Sequence, residues 1–262
     1  MIKLVVSDID GTLLPEGTDL LNTEYYEVIR QLKKKGIQFV AASGRQYTSM
    51  RHVLGPIADE IIFVSENGTN IIQDEKVQMS IFMDPAVVAE VVAYARTVPD
   101  CEIMLCTPDT QYLEEPNETL QDLLQNGYHS QVKVIDDVMV QAHRVNKMSF
   151  YREDGAKVIG PQVLARFGAT LDVAVSGSVW IDITEPGTNK GSTVKQLQEQ
   201  MGIKPEETIV FGDNCNDLSM FACARETYAV GNAHPDLIAA AKHVIPAPEQ
   251  NGVLEVLKEL LA

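Results

Sequence analysis

The chain is short of basic residues, aromatic residues and long apolar runs, and the first and last of these shortages each remove a class of function. Lysine and arginine number 21 against 37 aspartates and glutamates, a formal charge of −16. So acidic a chain repels polyanions, so neither nucleic acid nor an anionic membrane is expected as a partner. Aromatic residues make up 6% of the chain, within an otherwise ordinary globular composition. No apolar stretch is long enough to span a bilayer; Val87 to Ala95 comes nearest, and Glu90 interrupts it. Asp8 and Asp10 break the apolar start too early for a signal peptide. The cysteines (Cys101, Cys106, Cys215 and Cys223) form no C-x-x-C pair and show no disulfide or zinc spacing. Reduced thiols and a cytoplasmic location are expected. The five histidines are scattered, without metal-site spacing, and predict structural or exposed roles. Nothing demands an oligomer, and a monomer is expected.

What the chain does have is a regular alternation of strands and helices. Leu4 to Ser7, Ile37 to Ala42 and Ile61 to Val64 read as strands, with helices over Thr23–Lys35, capped by Asn22, and Gln46–Leu54. The basic run Lys33-Lys34-Lys35 falls at a helix end before Gly36, where cations suit the helix dipole. Asn67-Gly68 signals a tight turn, and Thr69–Ile72 can pair with Val77–Ile81. The rhythm resumes after residue 184, with helices at Ser192–Met201, Leu218–Cys223, Pro235–Ala241 and Val253–Leu261 around strands at Thr208–Phe211, Tyr228–Val230 and His243–Ile245. Between them, helices at Pro85–Arg96, Glu118–Gln125 and Ala156–Phe167 mix with strands at Cys101–Cys106, Val132–Ile135, Val145–Tyr151, Leu171–Val175 and Ser178–Ile183. The prediction is an α/β chain: a Rossmann-like doubly wound parallel sheet over residues 1–82 and 184–262, interrupted by an inserted α+β domain over 83–183.

Four motifs lie at strand ends of the parallel part, where open α/β sheets bind ligands. Asp8-Ile9-Asp10-Gly11-Thr12 follows the first strand. Carboxylates that close raise one another's proton affinity unless a cation compensates, and a divalent metal is the natural one. Ser43-Gly44-Arg45 offers a hydroxyl and a helix start to a phosphate, although a helix cap would use the same residues. Lys190 opens a helix, against the dipole, and so implies an anion nearby, although most lysines are simply solvated. Gly212-Asp213-Asn214-Cys215-Asn216-Asp217 groups oxygen donors suited to a hard cation, or else caps the next helix through Asn216 or Asp217.

Taken together, these motifs resemble the haloacid dehalogenase superfamily of phosphohydrolases, and within it the Cof-type subfamily with a large cap inserted between the second and third motifs. The resemblance spans nearly the whole chain, is strongest at residues 5–13, 40–45, 65–68, 188–192 and 210–220, and takes in Glu66-Asn67-Gly68 and Gly231-Asn232-Ala233. It implies a phosphoric monoester hydrolase acting on small phosphorylated metabolites, such as sugar phosphates, through an aspartyl-phosphate. Asp8 would be the nucleophile and Asp10 the general acid and base. Mg²⁺ would sit among Asp8, the Asp10 carbonyl and Asp213, with Asp217 supporting and Asn214 a further candidate. Lys190 and Ser43 would hold phosphate, with Gly11, Thr12, Gly44 and Asn216 lining the site and Arg45 and Asn67 contacting substrate where core and cap meet. The inserted domain would act as a lid that sets specificity. A phosphomutase or phosphotransferase, a receiver module and a sugar-phosphate sensor are the competing readings; Asp10 and the large insertion argue against the receiver.

Overall fold

A computed structural model of the chain describes residues 1–115, 117–176 and 178–262. The chain opens with β1 (Leu4–Ser7), α1 (Glu24–Lys34), β2 (Gln38–Ala42), α2 (Tyr47–Leu54) and β3 (Ile62–Ser65), then the hairpin strands β4 (Asn70–Gln73) and β5 (Lys76–Ser80). It continues through α3 (Pro85–Ala95), β6 (Glu102–Cys106), β7 (Gln111–Leu113), α4 (Glu118–Asp122), β8 (Val132–Val134), β9 (Lys147–Tyr151), α5 (Gly160–Phe167), β10 (Asp172–Val175) and β11 (Trp180–Thr184). It ends with α6 (Lys190–Met201), β12 (Thr208–Gly212), α7 (Leu218–Phe221), β13 (Glu226–Val230), α8 (Pro235–Ala240), β14 (His243–Ile245) and α9 (Gly252–Glu259). Two compact units emerge: Met1–Gly44 with Met50–Gln78 and Asn189–Ala262, and Arg45–Ser49 with Met79–Thr188.

The first unit holds a sheet of order β14-β13-β12-β1-β2-β3-β4-β5. Neighbours from β14 to β3 run parallel, and β4 returns antiparallel on β3. The chain moves outward from β1 through β2 and β3 on one side and through β12, β13 and β14 on the other. Right-handed crossovers in opposite directions place helices on both faces. Accordingly α1 packs on α9, while α7 packs on α6 and α8. This is the doubly wound parallel sheet expected from the sequence. β1, β3 and β12 are buried along their whole length, which is why they read as unbroken apolar runs rather than alternating ones. Ser7 pairs with both Phe211 and Ala41, so β1, β2 and β12 end together at one edge of the sheet.

The second unit is an α+β body, also as expected. Its sheet has the order β10-β11-β9-β6-β7-β8 and is antiparallel apart from the β7–β8 pair. Met148, Phe150, Ile181 and Ile183 form a core with Val88, Val92, Val163 and Phe167 of α3 and α5. The alternate residues of β9 and β11 carry a buried polar group, in which Ser149 Oγ donates to Asp182 Oδ1 at 2.6 Å and Lys147 Nζ lies 3.6 Å from Asp182 Oδ2.

Local departures have local causes. β7 is a three-residue strand, too short for a periodic signal. The helix expected over 156–167 splits into a 3-10 turn at Ala156–Val158 and α5, because Pro161 suits a helix start and not an interior. The helix expected over 118–125 ends at Asp122 and continues as a π turn over Leu123–Gly127. Thr23 occupies the cap position of α1, while Asn22 Oδ1 accepts the Glu24 N–H.

Gly191, at the start of α6, marks a close approach that spacing alone does not reveal. A Cβ there would lie 2.1 Å from the Ser219 carbonyl oxygen, a backbone atom that cannot turn aside. Gly191→Ala should therefore destabilise the protein by about 3 kcal/mol, the upper range for overpacking, which chemical denaturation will read directly.

Candidate active site

The carboxyl edge of the first unit gathers the acidic motifs beside β1, where the strand order reverses and ligands of such sheets bind. The chain leaves β1 through a tight turn in which the Leu13 and Leu14 N–H groups both donate to the Ile9 carbonyl at 2.9 Å. Gly11 takes φ +75°, and a Cβ there would lie 2.4 Å from Asp213 Oδ2. Only glycine serves both the turn and the approach of that carboxylate.

Asp8, Asp213 and Asp217 each offer a carboxylate oxygen within 4.8 Å of the others. Asp217 is fully buried and its oxygens are engaged: Oδ1 accepts from Lys190 Nζ at 2.8 Å, and Oδ2 from the Asp213 and Asn214 N–H groups at 3.0 and 3.1 Å. Asp8 Oδ1 accepts from Lys190 Nζ at 2.6 Å, and Thr12 Oγ1 donates to Asp213 Oδ1 at 3.0 Å. Lys190, 1% exposed, thus lies between two carboxylates at the first position of α6. The anion that its place on the helix implied is a pair of aspartates.

The electrostatics follow from burial. Desolvation pushes the Asp8 carboxyl well above its ordinary range; Lys190 opposes this, and Asp217, Asp213 and Asp10 add to it. Asp213 is pushed up to about 6 by burial and then by Asp217, against Asp8, Lys190 and Thr12. Burial alone would lower the Lys190 ammonium, but Asp217 and Asp8 outweigh it and hold it charged. Two buried carboxylates and a half-buried third around one ammonium leave uncompensated negative charge, and hard oxygen donors so crowded suit a cation such as Mg²⁺.

Asp213 sets a pH dependence. Between its ordinary 3.8 and about 6, the folded chain keeps a proton that the unfolded chain has released. Raising pH through that window therefore costs the metal-free protein on the order of 2–3 kcal/mol at this one site. Thermal melts in chelator should show wild type losing ground to Asp213→Asn from pH 4 to 6, and saturating Mg²⁺ should remove that loss. A gap that stays constant with pH would refute the assignment.

The other motifs end at the same edge. Ser43 is buried just beyond β2, donating its N–H to Val64 O at 2.9 Å and accepting the Asn67 N–H at 3.0 Å. Glu66, Asn67 and Gly68 all take positive φ, an unusual run for which asparagine and glycine are suited and glutamate is not. The turn sets Asn67 Oδ1 where a Cβ on Gly44 would meet it at 3.1 Å, and Asn216 Nδ2 donates to that oxygen at 3.4 Å. Thr193 Oγ1 donates to Gly68 O at 2.6 Å, tying this turn to α6. Asn214, offered by the sequence as a metal candidate, uses its side chain to cap the turn over Cys215–Asp217, accepting the Cys215 N–H at 2.8 Å. Asp217 completes that cap, its Oδ2 accepting the Asn214 N–H, and it stands at the cap position of α7 without a side-chain bond there. Arg45 groups by its contacts with the second unit and donates to Ser49 Oγ at 3.2 Å. The sequence names Gly212 in the fourth motif but assigns no role to that glycine, where a Cβ would lie 2.7 Å from Asp217 Cβ, nor to a link from Thr12 to Asp213. A glycine beside each acidic motif was the available signal.

The model of the haloacid dehalogenase-like hydrolase family matches residues 5–257. The chain is 31% identical to 5-amino-6-(5-phospho-D-ribitylamino)uracil phosphatase YbjI of Escherichia coli K12, over 99% of this chain and 96% of that one. It is 28% identical to HMP-PP phosphatase of Citrobacter koseri, over 93% and 89%. A solved structure from Eubacterium rectale, 31% identical, superposes with a TM-score of 0.90 over 99% of both chains. The chain belongs to the haloacid dehalogenase-like hydrolase family.

Proposed function

We propose that this chain is a Mg²⁺-dependent phosphatase that hydrolyses small phosphorylated metabolites through an aspartyl-phosphate on Asp8. The observation that carries the reading is the buried Lys190 ammonium bridging Asp8 and Asp217, with Asp213 beside them, at the switch point of the sheet. Lys190 neutralises charge that would otherwise repel a phosphate from a carboxylate nucleophile, and it fixes one Asp8 oxygen.

The chemistry falls to two aspartates. An Asp8 oxygen attacks phosphorus, the bond from phosphorus to the ester oxygen breaks, and Asp10 gives its proton to the departing alcohol. Asp10 then takes a proton from water, which attacks the same phosphorus; the acyl phosphate bond breaks, releasing inorganic phosphate and restoring Asp8. Ser43 and Lys190 hold phosphate oxygens, while Gly11, Thr12, Gly44, Asn67 and Asn216 shape the surrounding edge. Asp8 and Asp213 would hold Mg²⁺ with the Asp10 carbonyl, and Asp217, whose oxygens are engaged, would orient that set. The bound cation supplies positive charge to the phosphate oxygens. The second unit, with Arg45, would select the leaving group and exclude water.

One relative is named for a phosphorylated ribitylaminouracil and another for HMP-PP, so both compounds belong in a substrate panel with sugar phosphates. Phosphate release from that panel should require Mg²⁺ and stop in chelator. Phosphate passed to an added alcohol without net release would instead identify a phosphotransferase.

A further inference from the structure

Cysteine and histidine spacing along the chain predicts no zinc site, yet folding assembles a set of ligands that spacing cannot reveal. Cys215, His234 and Asp236 each bring one ligand atom within 4.8 Å of the others, and all three side chains are exposed. The group lies on two neighbouring loops of the first unit. Cys215 opens the turn between Asp213 and Asp217, and His234 and Asp236 open α8. A backbone hydrogen bond from His234 N–H to the Asp213 carbonyl, 2.7 Å long, joins the two loops and fixes their separation. His234 Nδ1 lies 3.7 Å from Asp236 Oδ2.

We infer that Cys215, His234 and Asp236 form a surface site for a thiophilic divalent cation of the zinc type, distinct from the carboxylate cluster of Asp8, Asp213 and Asp217. The donor sets separate the two. Sulfur, imidazole nitrogen and one carboxylate with a water make a four-coordinate shell that zinc favours, whereas Mg²⁺ prefers oxygen alone. Zinc bonds of about 2.0–2.3 Å in a tetrahedron place donors about 3.3–3.5 Å apart, so the imidazole and carboxylate, 3.7 Å apart, approach by a few tenths of an ångström, and the sulfur, within 4.8 Å of both, by up to about 1.3 Å. Exposed side chains achieve that by small rotations. The imidazole currently accepts the Asp236 N–H at 3.2 Å, an exposed bond that water can replace when the ring turns to the metal. Binding forms a sulfur–zinc bond and releases the thiol proton to solvent. Because Cys215 sits on the loop that carries Asp213 and Asp217, a cation held there would be coupled to the acidic site, and the coupling would be reciprocal.

Cys215 also supplies a selective readout, because it is exposed while Cys106 and Cys223 are buried and Cys101 is partly so. The full chain, kept in saturating Mg²⁺ so that the carboxylate site is occupied, is titrated with zinc at neutral pH while modification of Cys215 by a disulfide thiol reagent is followed. Zinc should slow that reaction at least about tenfold, and Cys215→Ser and His234→Ala should each weaken zinc binding by at least that factor, as loss even of an outer partner does. Cobalt in place of zinc should produce a thiolate-to-metal absorption band that Cys215→Ser lacks. An unchanged thiol reaction in zinc, or equal zinc affinity in wild type and Cys215→Ser, would overturn the proposal. The thiol and cobalt signals do not depend on phosphatase turnover, so failure here and failure of the phosphatase reading remain separable.

Discussion

Asp8→Asn will reduce phosphate release by a factor on the order of 10⁴ or more, as removal of a covalent nucleophile does, while leaving the protein folded. The amide keeps an oxygen to accept from Lys190 Nζ, so the 2.6 Å contact has a successor. It also removes a charge whose burial pushes its proton affinity up, with Asp217, Asp213 and Asp10 adding to the effect against Lys190. The metal-free variant should therefore melt no lower than wild type at neutral pH. Loss of activity with the melting temperature retained is the signature of a reacting group. A variant that keeps a rate within tenfold of wild type would remove Asp8 from the nucleophile role.

Lys190→Met should produce the largest loss of stability of any single change at the site. Lys190 is 1% exposed and Asp217 fully buried, so the substitution leaves buried carboxylates without their cation. Breaking a buried pair from one side costs about 3–5 kcal/mol. At about 2–4 °C per kcal/mol for a chain of this size, the midpoint should fall by roughly 6–20 °C. Two controls identify the cause. Adding Asp217→Asn to Lys190→Met should recover much of the loss, since the two residues are in contact and not additive. Lowering the pH should also narrow the gap to wild type, because protonated carboxyls no longer need the ammonium. A loss that neither control relieves would mean that the lysine stem, rather than its charge, supports the fold.

The degree to which the sequence foretold these sites differs from element to element. The core strands were legible because both faces of β1, β3 and β12 are buried, leaving runs such as Leu4-Val5-Val6 with no polar interruption. The acidic motifs were legible because each follows such a run, and a strand end in an open α/β sheet is where ligands bind. Gly11 was legible as a turn, but not as the gap that admits Asp213. Lys190 was legible as a lysine on the wrong end of a helix. That its partners are Asp8, 182 residues away, and Asp217 is decided by which strands pair with β1. Asn214 was ambiguous in the sequence because a short polar side chain after a strand suits a cap as well as a cation, and the fold uses it in a cap.

Short-range physics therefore wrote the strands, helices, turns and donor types into the chain, since burial periodicity, capping and backbone preference act over a few residues. The order β12-β1-β2, which brings Asp8, Asp213 and Ser43 to one edge, comes from long-range pairing and register. So do the buried Lys147–Asp182 pair of the second unit and the meeting of Cys215 with His234 and Asp236. Residues far apart in sequence become neighbours only when many weak contacts close the intervening loops together. No local pattern records that outcome, because its energy belongs to the whole packed body rather than to any one segment.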